Sequence, residues 1–134
     1  MRIARRAAVA LSAAAAMLFA VAAPAHAASP EDSFSRETKA YGGYLAGAGE
    51  ALFFSWGELF YIQDFRADGA GVRAYYRYSG GGWHQATNTN GRNGDEVEIN
   101  FDLAENLSFQ FYVCLEDEGV TISGTCSSTV NAHT

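Results

Sequence analysis

The alternation between residues 96 and 115 constrains the fold most. Val97, Ile99, Phe101 and Leu103 alternate with Glu96, Glu98, Asn100 and Asp102. After Ala104-Glu105-Asn106, Leu107, Phe109, Phe111, Val113 and Leu115 alternate with Ser108, Gln110, Tyr112 and Cys114. A period of two sends successive side chains to opposite faces of a strand, so each strand has one buried and one wet face, as in an antiparallel sheet. The short link predicts that these two strands pair as neighbours.

The rest of the chain from residue 39 reads the same way. Glycines such as Gly42-Gly43, Gly57, Gly69, Gly80-Gly81-Gly82 and Gly119 punctuate short aromatic and β-branched runs, the pattern of strands separated by turns. The predicted strands are 40–46, 51–55, 58–64, 72–79, 83–88, 96–103, 107–115 and 125–131. Short strands with turns about every 8 to 12 residues predict an all-β fold, a small antiparallel β-sandwich of Ig-like architecture, with a small barrel as the alternative.

Cys114 and Cys126 are the only cysteines, and outside the cytoplasm such a pair forms a disulfide. In the chain-entropy model, closing a loop of about 13 residues stabilises by roughly 3 kcal/mol. The bridge also makes a geometric demand. A tight turn at Asp117-Glu118-Gly119 would set Cys114 opposite about residue 121 and leave Cys126 roughly 16 Å away at ~3.3 Å per residue. A disulfide needs Cα atoms within ~7 Å. The expectation is therefore a longer loop over 117–123, centred near Val120. Cys114 has the polar parity of its strand, which predicts a bridge on the wet face or at an edge, away from the core centre.

Arg2, Arg5 and Arg6, an uncharged run from Ala7 to Ala23, Pro24 and Ala25-His26-Ala27 have the order of a cleavable signal peptide over 1–27. The Arg5-Arg6 pair hints at twin-arginine export, but its surroundings fit general secretion better. The run is shorter than the ~20 strongly apolar residues of a membrane span, and later charges recur too often for a span in the mature form. A secreted, extracellular protein is expected. Residues 28–38 are polar and aperiodic and read as a flexible leader; 39–134 read as a single domain.

Removing 1–27 leaves 107 residues with six cationic and 15 acidic side chains, a formal charge of −9. Such a domain repels phosphate backbones and anionic lipid, so nucleic-acid and membrane-surface partners are disfavoured. Catalytic signatures are missing as well. Gly80-Gly81-Gly82 lacks the Lys-Ser/Thr of a phosphate loop, and no G-x-S-x-G elbow occurs. His84 stands alone in the domain body, since His133 is penultimate. Asp64 to Gly69 and Glu116-Asp117-Glu118 read as turn chemistry and a solvated loop tip, lacking the dense ligand alternation of a calcium loop. No catalytic residue, metal or cofactor is expected.

The aromatics carry the functional signal. Trp56, Tyr75, Tyr76, Tyr78 and Trp83 lie in or beside strands of ambiguous parity: Val72, Ala74, Tyr76 and Tyr78 share one face, Arg73, Tyr75 and Arg77 the other. Exposed rings can stack on the apolar C–H face of a sugar. Trp83, Tyr76 and Tyr78 are the candidate ligand-binding residues; the competing reading is that the rings pack the core.

The runs Leu52-Phe53-Phe54-Ser55-Trp56-Gly57-Glu58-Leu59-Phe60, Asp64 to Gly69, Val113-Cys114-Leu115 and Thr125-Cys126-Ser127-Ser128 resemble a set of small secreted actinomycete proteins across roughly residues 50–130. The resemblance implies a compact exported β-sandwich and transfers no catalytic residue, since that set carries no assigned activity. Its members have a second cysteine pair near the positions of Ala67 and Gly94, which this chain lacks. The combined expectation is a monomeric, non-enzymatic recognition module for a glycan or cell wall. The alternatives are an extracellular protein-binding effector, such as a protease inhibitor presenting loop 80–95 or 116–124, and a small hydrolase.

Overall fold

The computed structural model describes residues 32–91 and 94–134. The signal segment 1–27 and the first leader residues lie outside that range. Among the described residues nine strands form two antiparallel sheets: β1 (Ser33–Glu37), β2 (Gly49–Phe54), β3 (Leu59–Asp64), β4 (Gly71–Tyr78), β5 (His84–Asn88), β6 (Val97–Asn100), β7 (Ser108–Asp117), β8 (Val120–Ile122) and β9 (Val130–His133). One sheet has the order β1-β2-β3-β6; the other has the order β5-β4-β7, with β8 and β9 both pairing β7. The expected two-sheet sandwich is what the chain forms.

The core follows from parity. Ala51 and Phe53 of β2, Phe60 and Ile62 of β3, Val72 and Ala74 of β4, and Phe109, Phe111, Val113 and Leu115 of β7 all turn inward and are buried. Phe53 stacks on Phe109 at 4.0 Å, and Phe60 meets Phe109 and Phe111 edge-on at 5.6 and 5.3 Å. Aromatic contacts across the sheets add about 0.5–1.5 kcal/mol each beyond burial. At Gly49 the backbone packs directly on Val72: a Cβ there would lie 2.3 Å from a Val72 methyl carbon. Asn88, also buried, ties the layers by donating from Nδ2 to the Ile62 carbonyl at 2.9 Å.

Four expectations are corrected. First, Ser33–Glu37, expected in a mobile leader, is edge strand β1, with Phe34 opposite Phe53. Its polar composition is what an exposed edge carries, and Phe34 alone packs inward. Second, 40–46 is no strand: Tyr41 and Tyr44 exchange backbone hydrogen bonds across Gly42-Gly43, whose φ values of 59° and 94° reverse the chain.

Third, β6 and β7 do not pair. β6 hydrogen-bonds to β3, whereas β7 lies in the other sheet between β4 and the β8/β9 pair. Residues 101–107 cross between the layers, anchored by Phe101 N–H to the Glu58 carbonyl and Leu103 N–H to the Glu58 carboxylate. Alternation specifies an inward face, and both sheets offer one.

Fourth, the last hairpin turns tightly at Glu118-Gly119, both with positive φ, and pairs Asp117 with Val120. Continued straight, β8 would bring Cys126 opposite Phe111; β9 instead sets Val130 there. The four surplus residues are taken up by a 3₁₀ turn at Ser123–Thr125 and the stretch after it. That contraction places the Cys114 and Cys126 Cα atoms 4.1 Å apart. The bridge has the outward parity of β7, as expected, yet Cys114 is fully buried and not wet.

Candidate functional site

Outward-facing residues of the five-stranded sheet form ordered rows. Beside Arg77 of β4 stand Gln110 of β7 and Asn131 of β9; beside Tyr75 stand Gln85 and Tyr112; beside Arg73 stand Thr87 and Cys114. Trp83 precedes β5 and reaches the Arg77 row.

At this end the face is aromatic and polar together. Trp83 is 42% exposed. The Arg77 guanidinium lies over its ring at 4.7 Å, and Tyr112 meets it edge-on at 5.1 Å and 72°. Tyr112 in turn stacks on Tyr75 at 4.8 Å and 14°. Arg77 donates from Nε to Gln110 Oε1 at 2.7 Å, and Gln110 donates onward to Asn131 Oδ1. The outcome is a corner, with a tryptophan wall against a tyrosine step and a row of planar donors beside it.

At the other end the groups are consumed by one another. Arg73 donates to Thr87 from Nε, to the Gly119 carbonyl and Thr121 from one terminal nitrogen, and to Glu116 from the other at 3.1 Å. Tyr75 and Thr121 share a hydroxyl hydrogen bond of 2.6 Å. Gly71 leaves room for the carboxylate, because a Cβ there would stand 2.8 Å from Glu116 Oε1.

The structure separates the sequence-selected residues. Trp83 is on the outward face, whereas Tyr76 and Tyr78 share the inward parity of Val72 and Ala74 and pack against the core. Tyr76 stacks over Phe109 and His84, and Tyr78 also stacks on His84, at 5.7 Å. The rings that accompany Trp83 are Tyr75 and Tyr112. Their signal was the parity they share with Arg73, Arg77 and Gln110, since a strand face carrying arginines is the solvent face. Burial raises the phenol pKa of Tyr112, with a smaller contribution from Tyr75, so the hydroxyl stays neutral and able to donate.

Elsewhere the polar clusters are internally satisfied. Asp64 accepts backbone N–H bonds from Arg66 and Gly91, both at 3.1 Å, and Asp68 accepts one from Ala70. Burial raises the Asp64 pKa, opposed by those two donors. Shallow depressions of about 460 and 680 Å³ flank this loop end, and neither is lined by Trp83 or His84. Among the described residues no group of three or more His, Cys, Asp or Glu side chains is placed to hold a metal, and no helix is long and apolar enough to cross a membrane.

Compared with known proteins, the chain matches no family model, no curated protein and no solved structure.

Proposed function

We propose that this protein is an exported recognition module that binds glycan on the outward face of its five-stranded sheet. The observation that carries the reading is Trp83, an exposed indole beside a hydrogen-bonded row of Arg77, Gln110 and Asn131. Sugars demand that combination: an apolar plate for the C–H face and planar donors and acceptors for the hydroxyls. Because Trp83 and Tyr112 meet near a right angle, the platform suits a single glycan chain better than a flat crystalline surface. The signal-like residues 1–27 and the disulfide both accord with work outside the cytoplasm.

The test is retention of purified protein on insoluble chitin, cellulose and bacterial cell wall, with Trp83→Ala alongside. Retention lost in the variant supports the reading. Equal retention of both moves the site off this face. No retention on any matrix favours the second reading, an extracellular protein partner such as a protease, sought in culture supernatant. That reading is favoured by Trp56, 52% exposed beside Phe54 on the opposite sheet.

A further inference from the structure

We propose that the ligand of this face carries a carboxylate, so that the module selects uronate-containing glycans; the inference rests on the glycan reading above. The residue responsible is Arg77. Among the described residues the only ion pair made by an arginine or lysine is Arg73 with Glu116, so Arg77 has no carboxylate partner in a chain with 15 acidic residues. Arg73, two pleat repeats away on the same face, has every nitrogen engaged. Arg77 uses Nε alone, held by Gln110 at 2.7 Å.

Its mount makes the free end useful. The guanidinium rests over the Trp83 ring, which fixes the plane and spends only the π face. The two terminal nitrogens take no acceptor among the described residues, which leaves the parallel donor pair that a carboxylate accepts in bidentate fashion. The guanidinium takes one face of the Trp83 ring, so a uronate docks on the exposed remainder of the indole with its carboxylate turned toward that fork. Immobilising the arginine beforehand lowers the ordering cost of binding. The domain's overall negative charge opposes this little, because screening damps repulsion beyond about 8 Å in physiological salt.

The experiment compares polygalacturonate, alginate and hyaluronan with their methyl esters, which keep the backbone and remove the charge, by affinity electrophoresis of the purified protein. At least one free acid is expected to bind roughly tenfold more tightly than its ester, the size of one charge-assisted contact. Arg77→Gln should erase that difference, so that acid and ester bind alike. Arg77→Lys, which keeps charge without the fork, should restore only part of it. Thermal melting of both variants checks that they fold.

Equal binding of acid and ester, or a preference that survives Arg77→Gln, overturns the carboxylate inference. So does retention on neutral polysaccharides with no free acid bound. In each of these cases the platform reading stands if Trp83→Ala still abolishes binding. Binding untouched by Trp83→Ala removes both.

Discussion

Arg73 and Arg77 stand on one strand, face the same side of one sheet, and do opposite things. Arg73 is surrounded by acceptors from three directions and closes a largely buried ion pair with Glu116, whose side chain is 6% exposed. Arg77 meets one amide oxygen and one indole ring. The difference lies in the neighbouring strands. Next to Arg73, the β7–β8 hairpin extends the sheet and supplies Gly119, Thr121 and Glu116. Next to Arg77, β9 supplies only Asn131, by way of Gln110. The same residue type is thus structural where the neighbouring hairpin supplies acceptors and available where the neighbouring strand does not.

The largest effect expected from this contrast is on stability. Glu116→Ala should cost about 3–5 kcal/mol, because it strands a mostly buried guanidinium, whereas Arg77→Ala should cost less than about 1 kcal/mol. Urea unfolding of the two variants measures both, and similar losses would erase the distinction. Next in size is the covalent brace behind the closed end. Cys114→Ser with Cys126→Ser should lose about 3 kcal/mol in the chain-entropy model, read by the same unfolding curves.

A third expectation concerns a buried carboxylate, Asp64, that pairs with no cation among the described residues. The folded pKa of Asp64 is raised by burial above its ordinary 3.8. The folded state therefore binds its proton more tightly than the unfolded state does. The contribution of this group to stability is full below the ordinary carboxylate range and is lost as pH rises through the folded pKa. Carbon-13 titration of the Asp64 carboxyl measures this directly; a midpoint at or below the ordinary value would show that the two backbone donors outweigh burial. The smallest effect is at the open end, where Trp83→Ala should shift stability by no more than about 0.5 kcal/mol while removing glycan retention.

Much of this was legible in the residues. The parity of Leu107 to Leu115 gave the central strand β7, and Cys114 fell on its outward side as expected. Alternation could not assign β6 to a sheet, because inward faces look alike from either layer. The strand at Ser33–Glu37 was hidden by its polar composition, since an edge strand pairs through its backbone and needs one Phe34 to dock. The tight β7–β8 turn was argued away on chain length, which assumed an extended return and left out a 3₁₀ contraction at Ser123–Thr125.

In the candidate site, Trp83 was one of several rings beside strands of ambiguous parity, and it is the one of the three selected that lies exposed. Tyr76 and Tyr78 were grouped with it because β4 carries rings on both parities, and the buried Val72 and Ala74 settle which rings turn inward. The availability of Arg77 was not legible at all. It depends on which acceptors three strands bring near, a property of register and not of any one segment.

The most direct test of the account uses the two tryptophans, Trp83 on the five-stranded face and Trp56 beside Phe54 on the other sheet. Their indole N–H signals, assigned with Trp56→Phe, are followed by proton–nitrogen NMR as soluble fragments of a retained glycan are added. The account predicts that the Trp83 signal moves with those of Tyr112 and Gln110 while Trp56 stays still. Movement of Trp56 with Trp83 unchanged would contradict it and place recognition on the opposite sheet.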